Sequence, residues 1–533
     1  MGKPKVYVVG VGMTKFEKPG KSGKDYPEMV KEAVTTALDD CKLRYEDVQQ
    51  ATVSYLFGGT CSGQRCLYEL GFTGIPIFNV NNACASGSSG VFLCKQILES
   101  GNADVVLACG FEKMAAGSLE NMNQNPDGRA LSVDNHIQVM SDTYGLHPAP
   151  ITAQMFANAG KEHMEQYGTK REHFAKIAYK NHLHSVHNEN SQFRKEFSFD
   201  EVMNARKIYD FMGLLECSPT SDGAAAALLV SENFLNKNPR LRPQAVEILG
   251  MQLGTDLPSV FKDNKNIKMI GYDMIEKISR DLYKETGLGP DKVQVIELHD
   301  CFAPNELITY EAIGLCPPGK AGDLIDRGDN TYGGKWVINP SGGLISKGHP
   351  IGATGVAQVV ELSNQLRGRC GKRQVPNCKV AMQHNIGIGG AGVVAMYSLA
   401  EGGPISPSTG SPSSGKLKSD AIFEEIRTRI GTEKELVQKA GSIVVRFTVD
   451  GEGGVKKSWV IDLKSRPPFV GHNDSLKTEL DATVSDEVFM NIAAGKINPD
   501  QAFMQGKLKL KGNIAKAMKL KTILNPSMLK TKL

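Results

Sequence analysis

No stretch of this 533-residue chain is apolar for long enough to cross a bilayer; the longest small-apolar run, Gly223 to Val230, falls far short of the ~20 residues a crossing needs. The N-terminus, Met-Gly-Lys-Pro-Lys-Val, has no signal-peptide core, and Val6 stands where myristoylation wants Ser or Thr. A soluble intracellular protein is expected. The eleven cysteines contain no C-x-x-C pair, are odd in number, and all lie between Cys41 and Cys378. That excludes a disulfide framework and a zinc-binding spacing, so a reducing compartment and no metal are expected. Neither sign of charge dominates, with 62 basic against 58 acidic side chains, which argues against nucleic acid as a partner. Only residues 405–533 lean basic, with 21 Lys and Arg against 14 Asp and Glu, enough for at most transient contact with an anionic membrane surface.

A chain this long exceeds one hydrophobic core. Tyr397 to Gly415 is rich in Gly, Pro and Ser and almost without large apolar residues, so a linker is placed at 402–416, between a body at 1–401 and a small domain at 417–533. In the body, strand-like runs (Lys5 to Val11, Asp104 to Ala108) alternate with helical patterns such as Tyr26 to Leu38. This predicts an α/β class with a largely parallel sheet covered by helices. The segment from Asn79 (strand end, small-residue turn, helix, strand) is echoed by the segment from Asn339. Two similar βα halves follow, about 1–240 and 241–401, with a polar, His- and Lys-rich inserted loop region at 112–207. Beyond the linker, a helix over Asp420 to Ile430, a hairpin of Ser442 to Val449 with Ser458 to Leu463, and helices over Asp486 to Ala494 and Ile514 to Leu524 predict an α+β module.

Cys84, in NNACASGSSG, stands between a strand end and a helix start, where unpaired N–H groups and the macrodipole favour a thiolate and offer donors to an oxyanion. Three further turns carry chemistry: His299-Asp300-Cys301-Phe302 after the strand Val293 to Leu298, Gly348-His349-Pro350 before a helix from Ala353, and His384-Asn385-Ile386-Gly387 after the strand Lys379 to Gln383. Turns after strand C-termini gather on one sheet edge, so a thiol, an imidazole, a second thiol and glycine N–H groups are expected to surround one ligand. That set suits acyl transfer.

These residues resemble the thiolases, and among them the type fused to a sterol carrier protein 2 domain. The resemblance rests on NNACASG at Cys84, HDCF at His299 to Phe302, GGLISKGHPIGATG at Gly342 to Gly355, QHNIGIGG at Gln383 to Gly390, and FMQGKLKLKGNIAKAMKL at Phe503 to Leu520. It implies a thiolase fold followed by a lipid-binding domain, and a degradative 3-oxoacyl-CoA thiolase working by ping-pong thiolysis, with coenzyme A as co-substrate and no other cofactor. The implied catalytic residues are Cys84 as nucleophile, His349 as its base, Cys301 as acid/base and His299 at the thioester oxygen. Backbone N–H groups of Cys84 and Gly387 would form the oxyanion site. Most thiolases carry C-x-G where this chain has Asn385-Ile386-Gly387, so the acid/base thiol has moved to Cys301, and no role follows for His384 or Asn385. The resemblance also implies a homodimer, branched-chain and sterol-derived substrates, and a fatty acyl or sterol-like ligand in the C-terminal domain. Thr531-Lys532-Leu533 approximates the S-K-L address read by the peroxisomal import receptor, so the peroxisome is expected, with the cytoplasm as the other compartment. Two alternatives stand beside this reading: a condensing ketosynthase-like enzyme, and a lipid-transfer protein on an inactive scaffold.

Overall fold

A computed structural model describes residues 4–115, 118, 130–400, 417–420, 422–423, 426–427, 443–451, 456–464, 469–471 and 478–512. The chain divides into two compact units, Met1–Ser406 and Pro407–Leu533.

In the first unit the strands are β1 (Val6–Met13), β2 (Gln50–Ser54), β3 (Ile77–Val80), β4 (Val105–Glu112), β5 (Lys207–Tyr209), β6 (Met212–Gly213), β7 (Gly223–Ser231), β8 (Val246–Gly254), β9 (Val295–Leu298), β10 (Val337–Ile338), β11 (Ala381–Gly387) and β12 (Ala391–Leu399). β5 and β6 pair only with each other; the other ten form one sheet in the order β10-β9-β11-β12-β8-β1-β7-β4-β2-β3. Read outward from the β8–β1 seam, each half repeats one pattern: two antiparallel strands, then three parallel ones. The expected pair of similar halves is therefore present. The expected largely parallel sheet is not, because β1, β7, β8 and β12 run antiparallel to their neighbours.

The principal helices are α1 (Tyr26–Cys41), α2 (Ser86–Glu99), α3 (Ile151–Tyr167), α4 (Arg171–Ser185), α5 (Tyr272–Thr286), α6 (Ala303–Ala312) and α7 (Ile351–Leu366). α1 begins with a capping box in which Asp25 and Glu28 satisfy each other's backbone N–H groups, and its apolar face packs on β1 and β7. α5 covers β8 and β12. α2 and α7 lie against each other and share a core with both halves of the sheet (Val91, Cys94, Val356, Val359 and Val360 with Ala227, Val295 and Ala395). Glycines permit their close approach: a Cβ on Gly87 would stand 2.8 Å from Gly352 O and 3.0 Å from Gly355 N. The stretch expected as inserted loops carries α3, α4 and shorter helices at Asp134–Thr143 and Phe199–Met203. Phe156 of α3 stacks on Phe302 at 5.1 Å, so this insertion supports the His299–Phe302 turn.

The second unit holds a sheet ordered β15-β14-β13-β16-β17, from β13 (Val444–Asp450), β14 (Lys456–Asp462), β15 (Phe469–Gly471), β16 (Leu480–Ser485) and β17 (Leu508–Gly512), with helices at Asp486–Ala493 and Pro499–Met504. β13 and β14 pair antiparallel with Phe447 opposite Trp459, as the expected hairpin requires. Phe423 stacks between Trp459 (4.9 Å) and Phe489 (4.7 Å) at the centre of an apolar core. The expected helix at 514–524, most of the one at 420–430, and Thr531-Lys532-Leu533 fall outside the described residues. No helix among the described residues is long and apolar enough to cross a membrane.

Candidate active site

Cys84 and His349, two of the expected site residues, come from equivalent places in the two halves. The edge strand β3 of the first half leads to Cys84 and α2; the edge strand β10 of the second leads to His349 and α7. Between β3 and α2 the chain turns through Ala83 at φ +48°, a left-handed conformation unusual for a residue with a Cβ. Its turn is pinned from both sides: Ala83 N donates to Asn81 Oδ1 (3.2 Å), Asn82 N donates to Ser86 Oγ (2.8 Å), and Ser86 Oγ donates to Ala83 O (2.6 Å). Cys84 is left half-buried just before α2.

The thiol of Cys84 and a ring nitrogen from each of His299 and His349 lie within 4.8 Å of one another. The two imidazoles meet edge to face at 5.1 Å. Among the described residues this is the one His, Cys, Asp and Glu cluster compact enough to hold a metal ion. Cys301 does not join that set, but it lies close enough that charge on Cys84 would raise its thiol pKa further. Gly387 lies against the Cys84 turn: a Cβ there would collide with Asn82 O and stand 3.0 Å from Ala85 N and 3.2 Å from Cys84 N. The strand expected to end at Gln383 runs on to Gly387, so His384 to Gly387 are strand residues rather than a loop.

His349 can be assigned a tautomer from its neighbours. Thr354 Oγ1 donates to Pro350 O (3.1 Å), a pure acceptor, so its lone pair takes the proton of His349 Nδ1 at 2.7 Å. His349 Nε2 is then a bare lone pair, buried and without a protein partner. Burial and the nearby Lys347 push its pKa down to about 3, so the ring is neutral. The Cys84 thiol goes the other way, up to about 12, through burial first and then the negative charge of Glu112. The expected lowering by the start of α2 is thus outweighed: Cys84 is a thiol beside a neutral imidazole.

Sequence reasoning missed the groups that hold these turns together. Asp300 accepts from Leu344 N (2.6 Å), Ile345 N (3.3 Å) and Asn181 Nδ2 (2.8 Å), tying the His299 turn to the short helix Gly343–Lys347 that leads into His349. A Cβ on Gly343 would collide with that carboxylate, which accounts for glycine there. Burial, then the neighbouring Glu306, push the Asp300 pKa well up. Glu112 accepts from Phe57 N and Gly352 N, both at 2.9 Å, joining β4 to the start of α7, and burial pushes its pKa up to about 7. Asn385 Nδ2 lies 2.8 Å from His299 Nδ1, and Ser88 Oγ donates to Asn385 Oδ1 at 2.7 Å. Asn385 carried a sequence signal, since it sits where most thiolases place a cysteine, and Asp300 lay within the HDCF motif without a role of its own.

Comparison with known proteins identifies the family. Residues 6–233 match the model of the thiolase N-terminal domain, 264–398 that of the thiolase C-terminal domain-like family, and 423–525 that of the SCP-2 sterol transfer family. The chain is 53% identical to sterol carrier protein 2 of Bos taurus over 526 residues, covering 97% of this chain and 96% of that protein. The chain belongs to the thiolase family. This thiolase is also 51% identical to human sterol carrier protein 2 over 533 residues, covering 97% and 96% of the two chains. It is 79% identical over 398 residues to the protein named non-specific lipid-transfer protein-like 2 of Caenorhabditis elegans, covering 74% of this thiolase and 97% of that protein. Among solved structures, human mitochondrial 3-ketoacyl-CoA thiolase in complex with CoA matches with a TM-score of 0.55 at 19% identity, over 74% of this chain and 98% of that one. An Ltp2-ChsH2(DUF35) aldolase matches with a TM-score of 0.62 at 21% identity, over 75% and 99%. Both show the fold shared by this thiolase. The family makes it an acyltransferase, with a second domain of the sterol carrier protein 2 kind.

Proposed function

We propose that this thiolase cleaves 3-oxoacyl-CoA between C2 and C3, using coenzyme A as co-substrate and no other cofactor, and that its C-terminal domain binds the lipid. The observation that carries the reading is the bare, buried Nε2 of His349 within reach of the Cys84 thiol. His349 takes the thiol proton as the sulfur attacks the 3-oxo carbon, so charge separation arises only on reaction. The N–H groups of Cys84 and Gly387 receive the tetrahedral oxyanion. Its collapse breaks the C2–C3 bond, leaving the acyl group on Cys84 and the acetyl-CoA portion, or propionyl-CoA where C2 is methylated, as an enolate. His299 and His349 hold the enolate oxygen while Cys301 gives C2 its proton. The incoming CoA thiol then returns a proton to Cys301, its sulfur displaces the acyl group from Cys84, and the departing Cys84 sulfur regains its proton from His349.

A lipid-binding domain on the same chain favours degradation of long, 2-methyl-branched and sterol-derived chains over condensation of acetyl units. Thr531-Lys532-Leu533 supports import into peroxisomes. The edge strand β3, with Phe78 exposed and Phe72 nearby almost fully so, supports a homodimer built by edge pairing. Purified protein with CoA and a panel of straight, 2-methyl-branched and sterol-derived 3-oxoacyl-CoAs tests the reading. Cys84→Ala should abolish substrate loss; turnover at the wild-type rate would sink the assignment. Cys301→Ala should stop thiolysis while still allowing Cys84 to be alkylated.

A further inference from the structure

We propose that Asn385, standing where most thiolases carry their second cysteine, is a positioning residue that holds the proton of His299 on Nε2, so that the two imidazoles facing Cys84 have opposite roles. The proposal rests on the thiolase reading and deepens it. It begins at Gly355 O, which can only accept. Gln383 Nε2 donates to that oxygen at 2.7 Å and shares its other proton between Ser88 Oγ at 3.0 Å and Gln358 Oε1 at 3.1 Å, while Tyr397 Oη donates to Gln383 Oε1 at 2.6 Å. Reversing the Gln383 amide would set its oxygen against Gly355 O, so its direction is settled. Ser88 Oγ donates to Asn385 Oδ1 at 2.7 Å. In that orientation Asn385 presents its NH2 group to His299 Nδ1, 2.8 Å away. A neutral imidazole that accepts at Nδ1 carries its proton on Nε2.

His299 is neutral because burial, then the neighbouring His349 and His384, push its pKa well down. His349 is the mirror case, with its proton on Nδ1 toward Thr354 and Nε2 bare. One ring can take the thiol proton; the other can offer N–H to a developing oxyanion. Left without Asn385, His299 would be free to carry its proton on either nitrogen. Every link in the chain is buried: Ser88, Gln383 and Asn385 are each fully enclosed, so no water competes for these protons. Gly355 permits the contact, since a Cβ there would stand 2.8 Å from Asn385 Oδ1 and nearer still to Ser88.

The test reads the proton directly. In protein labelled with 15N-histidine, the His299 signal, assigned by its loss in His299→Gln, should show a protonated Nε2 and an unprotonated Nδ1. In Asn385→Asp the carboxylate can only accept, so the proton should move to Nδ1 or the ring should become cationic. Thiolysis kcat should then fall between about 10²- and 10⁴-fold, the range for losing one oxyanion donor or holding the wrong tautomer. KM should stay within about threefold, because the lost interaction forms mainly in the transition state. An acid limb absent from the wild type should also appear in the kcat profile. A wild-type signal protonated on Nδ1 overturns the proposal, as does an Asn385→Asp protein with the tautomer inverted and kcat unchanged. If Asn385→Asp does not fold, the wild-type spectrum decides alone. A failure of the thiolase reading looks different: Cys84→Ala retains substrate loss while the His299 tautomer is unaffected.

Discussion

Gly355→Ala sets two physical effects against each other. Gly355 lies in α7, where alanine is the better helix former by about 0.5–1 kcal/mol, so a rule based on propensity alone predicts a more stable protein. Here the new methyl would stand 2.8 Å from Asn385 Oδ1 and still closer to the backbone nitrogen and hydroxyl of Ser88 in α2. Ordinary contact begins at 3.4 Å, so the neighbours must retreat by more than about 0.6 Å from atoms that cannot rotate away. Overpacking of this kind costs about 1–3 kcal/mol, which outweighs the propensity gain. A net loss of roughly 1–2 kcal/mol is expected, read as a lower urea midpoint at unchanged m-value. Because α2 follows Cys84 and α7 follows His349, separating them also parts thiol from base, and displacement approaching 1 Å costs about 10²-fold in kcat. Urea unfolding and steady-state thiolysis on the same preparation form the assay. A stabilised Gly355→Ala protein with wild-type kcat would refute the reasoning.

Acid should destabilise the first unit early. Burial holds His136 and His182 down to about 4 and His184, His349 and His384 to about 3, with His299 also well below its ordinary value. Between those values and 6.5 the unfolded chain binds protons that the folded one refuses, so stability falls as pH drops below 6.5. Each group contributes about 1.4 kcal/mol per unit, and if half of the six act fully the loss at pH 5.5 is about 4 kcal/mol. Chemical denaturation at pH 7.0 and 5.5 measures it, and equal stabilities would contradict the burial of these rings. Ala83→Gly should stabilise by roughly 0.5–1 kcal/mol, since relief of the left-handed backbone exceeds glycine's added freedom in the unfolded chain. It should also lower kcat by loosening the turn that presents Cys84; higher stability with no loss of rate would show that the turn does not need its stiffness.

Much of the catalytic set was legible because each member sits in a turn where glycine or small residues interrupt a strand-to-helix pattern. Cys84, His299 and His349 meet as that pattern implies. Strand direction was only partly legible. β11 and β12 are separated by Ile388-Gly389-Gly390 alone, too short for a parallel crossover, a spacing that the expectation of a largely parallel sheet passed over. The pairings of the buried polar groups left no local trace, since the partners are remote in sequence: Ser88 with Asn385, Asn181 with Asp300. The thiol's pKa was misjudged for the same reason, because desolvation depends on the whole enclosure whereas a helix start can be read from a few neighbouring residues.

The seam of the sheet has a consequence for synthesis. β1 leaves the ribosome well before its two neighbours, β7 and β8, formed by Gly223–Ser231 and Val246–Gly254. Its apolar run must wait, unpaired on both edges, until more than half of the first unit has been made, and the second half then closes on a strand supplied by the first. Such distant pairing slows folding and prolongs exposure of an aggregation-prone edge. Joining the two halves of the sheet is therefore the stage at which the nascent chain most needs protection by chaperones.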